Sequence, residues 1–338
     1  MLILFMGTVS CSTESSEPVP SSVELQLTST INVQQTTRSY TGDPSNGTQS
    51  TNILAGQTIW AWANYSSTAV HATPNSEYFT AWQLVAGGTG SLSGSAHYYP
   101  PNMDPFDITA VQGNFTESIS ENNNTSLPVT LTHTILSNQA SAANYAKSDL
   151  LWAQKQKMTV SGRTGTTEVL NFAHLLSKVE ITLVPGSQTY GDVTIAYTTD
   201  DLKDAIVDIM NVMTDVTLTM ADGTTATGTT MGNVRIKETT DNSVGFTPSG
   251  STAYSWVEAI LPPQTLACTT AFIRVKLPQH GNRTLYYQIP DDPATGLVLE
   301  ANTRYRFVFT VTPTVIKLSG LYYQSGFDDE TVAVIPEA

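Results

Sequence analysis

The stretch "VELQLTSTINV", residues 23–33, alternates between two sets of positions without interruption. One set is apolar apart from Ser29, and the other set is polar throughout. A period of two residues is typical of a strand that buries one face. The pattern therefore predicts a long half-buried strand, whose buried face carries Val23, Leu25, Leu27, Ile31 and Val33.

Short runs of the same kind follow along most of the chain, among them "TIWAWANY", "KVEITLVP" and "YRFVFTVTP". Clusters of Gly, Pro, Asn and Asp separate them and favour turns. Helical spacing stands out in one place, where a helix or helical turn is predicted from Leu202, Ile206, Ile209 and Met213. Many short strands with little helix predict an all-β protein of the β-sandwich type, and "SGRTGTTEVLN" is the candidate junction between two domains.

The segment "NFAHLLSKVEITLVPG", residues 171–186, places one of five histidines directly before a predicted strand. The inward face of that strand is predicted to consist of Val179, Ile181 and Leu183. Phe172, with Leu175 or Leu176, is expected to cover the end of the same sandwich. No serine, cysteine or carboxylate is patterned as a catalytic partner of His174, although folding could bring one close. We expect a structural His174, hydrogen-bonded at the domain junction to the backbone or to a nearby side chain.

Composition and charge narrow the class of protein. The 338 residues carry 29 acidic against 15 basic side chains, for a formal net charge of −14. A nucleic-acid-binding protein needs a basic surface that displaces counterions, so nucleic acid is not an expected partner. Abundant Ser, Thr, Asn and Gly suit short strands joined by polar turns in an exported protein.

The first residues predict export. An apolar run from Leu2 to Val9 leads into "GTVSC", which is followed by the polar, acidic "STESSE". This arrangement is typical of a bacterial lipoprotein signal with Cys11 as the acylated residue. The run is short and lacks a preceding Lys or Arg, so an ordinary cleaved signal is the alternative. The other cysteine, Cys268, lies in a predicted strand and is expected to be a small buried apolar residue.

Sequence motifs for catalysis or metal binding are missing. The chain contains no Gly-rich phosphate loop, no H-E-x-x-H and no C-x-x-C, and its histidines have no metal-ligand spacing. We therefore expect no catalytic residue, metal or cofactor. Acidic clusters at 200–201, 291–292 and 328–330 lack the alternating ligands of a calcium loop and are interpreted as solvated turns.

Aromatic residues suggest one alternative function. A sugar-binding platform could be built from Trp60, Trp62, Trp82, Tyr98 and Tyr99. Trp60 and Trp62 share one face of a predicted strand, however, and that placement fits a core position at least as well. Glycan binding is therefore kept as an alternative hypothesis.

Four landmarks occur in order along the chain. They are "TTRSYTG" after the first strand, "NFAHLLSKVEITL" at the start of the second half, "EAILPPQTL", and "LVLEANTRYRFVFTV" before a short C-terminal segment. The series resembles the fimbrillin-like proteins of Bacteroidetes, the building blocks and accessory lipoproteins of type V pili. The chain departs from them at residues 300–302, where Pro-Gly-Lys is frequent, and at residues 326–327, near which a tryptophan is frequent.

The resemblance implies a fold of two tandem transthyretin-like antiparallel β-sandwich domains. The implied division is a lipoprotein signal at 1–10, a linker at 11–21, an N-terminal sandwich at 22–167 and a C-terminal sandwich at 168–338. It further implies a non-enzymatic structural subunit of a cell-surface pilus that takes part in adhesion. Acylated Cys11 would hold the precursor in the outer membrane.

Strand exchange is the assembly mechanism that the resemblance implies. A maturation protease cuts after an arginine in the loop behind the first strand, a position held here by Arg38, and the strand at 23–33 is lost. A C-terminal segment at about 316–336 then fills the groove of a neighbour, with donor residues Leu318, Leu321, Tyr323, Val332 and Val334. The implied partners are other subunits in a head-to-tail polymer, outer-membrane lipid, the protease, and a host or glycan ligand.

Two other classes of function stay open. A surface lipoprotein that binds glycans without polymerising needs exposed aromatic residues, and it needs neither a removable first strand nor a mobile last strand. An enzyme is the third class, and no patterned catalytic group supports it. The two ends of the chain therefore discriminate between a pilus subunit and a glycan-binding lipoprotein.

Replacing Cys11 by Ser should abolish lipidation, because the thiol is the group expected to be acylated. The intact mass of membrane-extracted wild type should correspond to an acylated chain that begins at Cys11. The Cys11→Ser variant should move to the aqueous phase in detergent partitioning, whereas Cys268→Ser, the matched control, should keep the lipid. A wild-type chain that begins elsewhere and stays in the aqueous phase would contradict the assignment.

Overall fold

The computed structural model describes residues 23–31, 52–160, 167–239, 256–291 and 294–325. Two short α-helices are present in these ranges, α1 (Ala142–Ser148) and α2 (Thr199–Leu202), with a 3-10 turn at Pro278–His280. The strands are β1 (Gln26–Ile31), β2 (Thr58–Tyr65), β3 (Glu77–Ala86), β4 (Leu92–Gly94), β5 (Phe106–Gln112), β6 (Thr130–Thr134), β7 (Leu151–Met158), β8 (Thr167–His174), β9 (Ser177–Pro185), β10 (Ser187–Tyr190), β11 (Val193–Ala196), β12 (Ile206–Met213), β13 (Asp215–Thr219), β14 (Thr225–Thr227), β15 (Met231–Lys237), β16 (Trp256–Leu261), β17 (Gln264–Leu266), β18 (Ala271–Leu277), β19 (Arg283–Gln288), β20 (Leu297–Leu299), β21 (Thr303–Val311) and β22 (Ile316–Ser325). The predicted all-β class is confirmed. No helix in the described ranges is long and apolar enough to span a bilayer.

The N-terminal half is one seven-stranded sheet with the order β1-β8-β7-β5-β2-β3-β4. Its two ends meet, because β1 pairs with β8 on one side and is hydrogen-bonded to residues 90–99 on the other. Alternate residues of each strand point into the enclosed core, as Ile59, Ala61 and Ala63 do in β2. The sheet therefore curls around its core, with β1 at the seam.

The C-terminal half is a sandwich of two four-stranded sheets, β15-β12-β18-β19 and β16-β9-β21-β22. Aromatic rings meet across the two sheets. The ring centroids of Phe272 and Phe307 lie 5.3 Å apart, and those of Tyr287 and Phe309 lie 4.9 Å apart. Two sheets that bury their inner faces against each other in this way form the second core.

A smaller sheet, β14-β13-β6, joins strands from both halves. Trp62 and Trp152 lie on the outer face of the N-terminal sheet and belong to the same apolar cluster as the C-terminal sandwich. The indole N–H of Trp62 donates to the Thr125 carbonyl at 2.9 Å, and that of Trp152 donates to the Met220 carbonyl at 3.1 Å. The apolar core of the C-terminal sandwich therefore extends to the outer face of the N-terminal sheet, while the residues that this sheet encloses form a separate apolar cluster.

Two strand pairs run parallel, β1 with β8 and β9 with β21. All other strand pairs in the described part of the chain are antiparallel. A parallel pair needs a long crossover connection, and in each half most of the other strands lie in sequence between the two partners. Local periodicity cannot reveal such a pairing, so the expected antiparallel sheets have these two exceptions.

The predicted helix near residue 202 is reduced to the single turn of α2. Residues 206–213 form β12 instead, which pairs with both β15 and β18. Hydrogen bonds to two neighbouring strands override the local spacing of the apolar residues. The helix α1, which the sequence analysis did not predict, begins at Ser141, whose hydroxyl accepts a hydrogen bond from the backbone N–H of Asn144.

Two side chains lie elsewhere than expected. Phe172 is fully buried in the core of the N-terminal half, because β8 pairs with β7 and β1; its expected place at the end of the second sandwich is wrong. The change from one sheet to the next falls between His174 and Ser177, where β8 ends and β9 begins. Cys268 is half-buried in a turn after β17 rather than buried in a strand.

Replacing Phe309 by Ala should lower the free energy of unfolding by about 3–5 kcal/mol, because it opens a cavity between the two four-stranded sheets. Denaturant unfolding followed by circular dichroism measures the change. The exposed Val298 on β20 provides the matched control, and Val298→Ala should stay within about 0.5 kcal/mol of wild type. Equal losses for the two variants would argue against a sandwich core at Phe309.

Candidate functional site

The first described strand is held at the seam by hydrogen bonds on both of its edges. On one edge it runs parallel to β8 in a continuous register from Gln26 with Thr167 to Ile31 with Phe172. On the other edge the Leu25 N–H donates to the His97 carbonyl at 2.8 Å. These bonds make β1 a full member of the sheet rather than a loosely attached edge strand.

The inner face of β1 and of the residues just before it is buried, and it is apolar apart from Ser29. Leu25, Leu27 and Ile31 are 3–6% exposed, and Val23 is half-buried against the same core. Val33, the last residue of the predicted face, lies outside the described residues. The strand therefore fills an apolar groove between β8 and residues 90–99.

The last described strand, β22, lies at an edge of the C-terminal sandwich and pairs with β21. Leu318 and Leu321 are buried in the core of their own half, and Tyr323 pairs in register with Tyr305. A bulge interrupts the register between Leu318 and Gly320. Before any exchange, the first part of the predicted donor segment thus completes its own domain.

Five of the predicted site residues fall outside the part of the chain that the structure describes. They are Cys11, Val33, Arg38, Val332 and Val334. Lipidation and proteolytic processing therefore stay predictions from the sequence. So does the contribution of residues 326–336 to the donor segment.

His174 ends β8 and contacts a carboxylate that the sequence pattern did not indicate. Its imidazole Nδ1 lies 2.8 Å from Oδ2 of Asp149, the residue directly after α1. His174 is 4% exposed and Asp149 is fully buried. The contact joins β8 to the end of α1, as expected for a histidine that ties a junction to a nearby side chain. Asp149 is remote in sequence and lies in no pattern, so only folding reveals the pair.

A second histidine, His133, lies close to this pair. Its Nδ1 accepts a hydrogen bond from the Asn114 N–H and its Nε2 donates to the Ser148 carbonyl, both at 2.9 Å. Burial lowers the pKa of His133 to about 4, although the Ser148 carbonyl and the Asp149 carboxylate act in the opposite direction. His133 is therefore a neutral hydrogen-bonding group at pH 7.

Charged side chains on the outer face of β9 form a buried cluster that the sequence analysis did not predict. Glu180 is fully buried, with Arg304 Nε and Arg306 Nε each 2.8 Å from its carboxylate. Lys178 Nζ lies 3.4 Å from Glu180 and 3.2 Å from Glu258. Burial alone raises the pKa of Glu180, but the three cations outweigh it and hold that pKa below its ordinary value.

Helix α1 and the segment before it cover this charged face of the sheet. The side-chain amide of Gln139 bonds to both the N–H and the carbonyl of Ile260 on β16. Tyr145 of α1 is buried near Glu258 and Glu180, and burial followed by these carboxylates raises its pKa. Both faces of β9 are therefore covered, and the mutual pairing of its charges suits a structural contact between the halves.

The aromatic residues proposed as a sugar platform are mostly core residues. Trp62, Trp82 and Tyr99 are 1–4% exposed, and Trp60 is half-buried against the shared apolar core. Tyr98 is the exposed member of the set, at 44%. The five residues form no exposed platform, and the interpretation that Trp60 and Trp62 are core residues is correct.

Of the acidic clusters interpreted as solvated turns, only part lies within the residues that the structure describes. Asp201 accepts hydrogen bonds from the Thr198 N–H and hydroxyl, which lower its pKa, and it lies 2.9 Å from His280. Residues 292 and 328–330 lie outside the description. Within the described ranges, no three His, Cys, Asp or Glu side chains come together as a metal site.

The curled sheet with a strand-filled seam and the sandwich beside it define a two-part β-protein built around strand pairing. The sequence profile of the fimbrillin-like family matches residues 37–321, so the chain belongs to that family. A comparison with curated protein sequences finds no match.

Two crystal structures from Bacteroides share the fold, and both proteins are provisionally described as cell adhesion proteins. The protein from Bacteroides uniformis has a TM-score of 0.55 at 17% identity, over 91% of this chain and 99% of that chain. The protein from Bacteroides ovatus has a TM-score of 0.59 at 12% identity, over the same shares of the two chains. At these identities the likeness establishes the fold.

Replacing His174 by Ala should destabilise the chain by roughly 3–5 kcal/mol, because the buried Asp149 carboxylate loses a partner. Asp149→Ala should cost a similar amount, and the double variant should cost far less than both single losses together. Denaturant unfolding of the four proteins gives this coupling energy. Additive losses would mean that the two side chains do not depend on each other.

Proposed function

We propose that this chain is a structural subunit of a cell-surface pilus, assembled by removal of the first strand and by strand exchange with a neighbour. The observation that carries the proposal is the position of β1. It fills an apolar groove, bonds to both walls, and is followed by the sequence that contains Arg38. Family membership is consistent with this role, and no enzymatic activity is part of the proposal.

The energetics of β1 explain why such a precursor would stay monomeric. Burial of Leu25, Leu27 and Ile31 contributes about 1.5–3 kcal/mol each, or roughly 5–9 kcal/mol in gross terms. A whole domain has a net stability of about 5–15 kcal/mol. Loss of β1 from an intact chain would therefore come close to unfolding the N-terminal half.

Cleavage after Arg38 changes this situation. A strand tethered to its groove has a high effective concentration, and cutting the tether turns its release into an ordinary dissociation. A strand from another subunit then competes for the same backbone hydrogen bonds and the same apolar burial. Cleavage thus permits exchange without weakening any single contact.

The C-terminal segment at about 316–336 is the proposed donor. Its first part, β22, is an edge strand, so one side of its backbone is already without a strand partner among the described elements. Transfer to a neighbour gives up the pairing with β21 and the burial of Leu318, and it recovers similar contacts in the groove. Such a contact is head-to-tail, does not close on itself and builds a filament.

The cell surface is the proposed location. Acylation of Cys11 would hold the precursor in the outer membrane, where the maturation protease meets the Arg38 loop. The glycan-binding alternative is not carried further, because the aromatic residues on which it depends are mainly buried.

Processed wild-type protein should form SDS-resistant ladders, because each exchanged strand is locked into a groove. Purified precursor treated briefly with a trypsin-like protease provides the assay, and denaturing gels without boiling report the ladder. Arg38→Ala should block both the cut and the ladder. Arg163→Ala removes an arginine from the candidate junction sequence "SGRTGTTEVLN" instead; it is the matched control and should leave the ladder intact.

Two outcomes would contradict the proposal. Normal ladders from Arg38→Ala would place the cleavage site elsewhere. A wild type that loses residues 1–38 and stays monomeric at high concentration would remove strand exchange as the mode of assembly.

A further inference from the structure

The outer face of the sheet β15-β12-β18-β19 carries four polar side chains that form a row across the strands. In order, they are Arg235, Asp208, Arg274 and Tyr286, and each opposes the next in the strand register. Directly opposed side chains on one face of a sheet have Cβ atoms about 4.5–5.5 Å apart. The row therefore places two guanidinium groups, a carboxylate and a phenol ring side by side.

The carboxylate of this row holds the arginine beside the ring in one orientation. Arg274 donates to Oδ2 of Asp208 from Nε at 2.9 Å and from Nη2 at 2.8 Å. Asp208 is 3% exposed, whereas the Arg274 side chain is 31% exposed. The guanidinium is planar and rigid, so these two bonds leave its Nη1 group directed away from Asp208 and free for a further acceptor.

The backbone is irregular on both sides of this row. The register of β12 with β15 shifts between Val207 and Asp208, and that of β18 with β19 shifts between Ala271 and Ile273, directly before Arg274. Bulges of this kind re-aim side chains and are frequent next to functional sites. The row is therefore a local feature rather than a product of regular strand geometry.

A lysine beside the row gives the face an excess of positive charge. Arg235 contacts Asp208 and also donates to Glu238 at 2.9 Å, so two carboxylates balance the two guanidiniums. Lys276 follows Arg274 by two residues and lies on the same face, about 7 Å further along the strand. Within the described part of the chain, no carboxylate pairs with the Lys276 ammonium. A chain of net charge −14 thus carries a cationic group of side chains on this face.

The edge strand β19 adds an exposed ring between two polar side chains. Tyr286 is 51% exposed, although the next residue, Tyr287, is buried in the sandwich. Thr284 and Gln288 lie on either side of Tyr286 on the same face, and both are exposed. The face of an aromatic ring attracts C–H groups, and the hydroxyl and the amide beside it can bond to further hydroxyls. This arrangement suits a sugar ring.

We propose that this face of the C-terminal half binds an anionic polysaccharide, with a sulfate or carboxylate group of the sugar held between Arg274 and Lys276 and the sugar ring packed on Tyr286. The site goes beyond the proposed function, because it needs neither cleavage nor strand exchange. It also differs from the five aromatic residues of the N-terminal half that are mainly buried. Because the whole chain is strongly acidic, only this local group of cations attracts a polyanion, and added salt should weaken the binding.

An acidic peptide is the other ligand with the same charge. A peptide would bind by pairing with the backbone at the edge of β19, and that mode makes no use of a ring that points out of the sheet. The exposed Tyr286, flanked by hydrogen-bonding side chains, therefore favours the polysaccharide.

Binding of two matched polymers to the unprocessed full chain tests the site. Dextran sulfate should bind, and dextran of the same length should not, because the two differ only in the anionic groups. Alginate, whose anionic groups are carboxylates, shows by comparison with dextran sulfate which anion the site prefers. Poly-glutamate should bind more weakly than the better of the two anionic polysaccharides, because it has no sugar ring.

Four substitutions, each with a matched partner, locate the site. Lys276→Gln should weaken binding roughly fivefold or more, because one charge-assisted contact is lost, whereas Lys276→Arg should retain it. Lys147→Gln removes the same charge from an exposed position on α1 and should bind as wild type does. Tyr286→Ser should weaken binding to a similar extent, and Tyr190→Ser, at a comparably exposed tyrosine on β10, should have no effect.

Several outcomes would overturn the proposal. Equal losses in Lys276→Gln and Lys147→Gln, or in Tyr286→Ser and Tyr190→Ser, would place the ligand elsewhere. Binding of unmodified dextran as tight as that of dextran sulfate, tighter binding of poly-glutamate, or no binding of either anionic polysaccharide would also contradict it. Failure of the processed chain to form ladders would count against the proposed function alone, since this assay uses the unprocessed chain.

Discussion

Closure of the N-terminal sheet by β1 is the interaction on which the rest of the structure depends. A curled sheet whose ends do not meet leaves a row of backbone N–H and C=O groups on each edge and an open core between them. One strand satisfies both edges here, with β8 on one side and residues 90–99 on the other, and its leucines complete the core. The strand that closes the sheet therefore also completes the core of the N-terminal half.

The contact between the two halves depends on the same N-terminal sheet. Trp62 and Trp152 extend the apolar core from the outer face of the seam-bearing sheet to the C-terminal sandwich. Next to that core, the His174–Asp149 contact joins the end of α1 to β8, and the side-chain amide of Gln139, just before α1, bonds to Ile260 of β16. A buried charge is stable only with its partners in place, so the His174–Asp149 pair helps to specify how α1 lies against β8.

The fold class could be predicted from the sequence because period-two alternation survives in most strands. The buried face of β1 and the inward residues Val179 and Ile181 follow from it directly. Parallel pairing could not be predicted, since it joins strands separated by most of a domain. The division after residue 167 that the resemblance implies places most of β8 in the second half, whereas β8 pairs with β1 and β7 of the first.

Site residues that belong to a local sequence pattern could be predicted, whereas residues that matter through contacts between distant segments could not. Alternation marks β1 as a strand with one apolar face, whereas the roles of Arg38 and of the C-terminal segment rest on the resemblance and stay predictions. Asp149, Glu180 and the tight approach of Gly90 to Ser29 belong to no sequence pattern, because each depends on segments that only folding brings together. The spacing that suggested a helix over 206–213 failed because ladder hydrogen bonds outweigh local preference.

The most direct measurement is an electron cryo-microscopy map of the assembled filament in which the strand between β8 and residues 90–99 can be traced. The account predicts that this strand leads back to the β21–β22 region of the neighbouring subunit and that residues 23–31 of the same subunit are gone. A filament in which residues 23–31 still occupy the seam would contradict it.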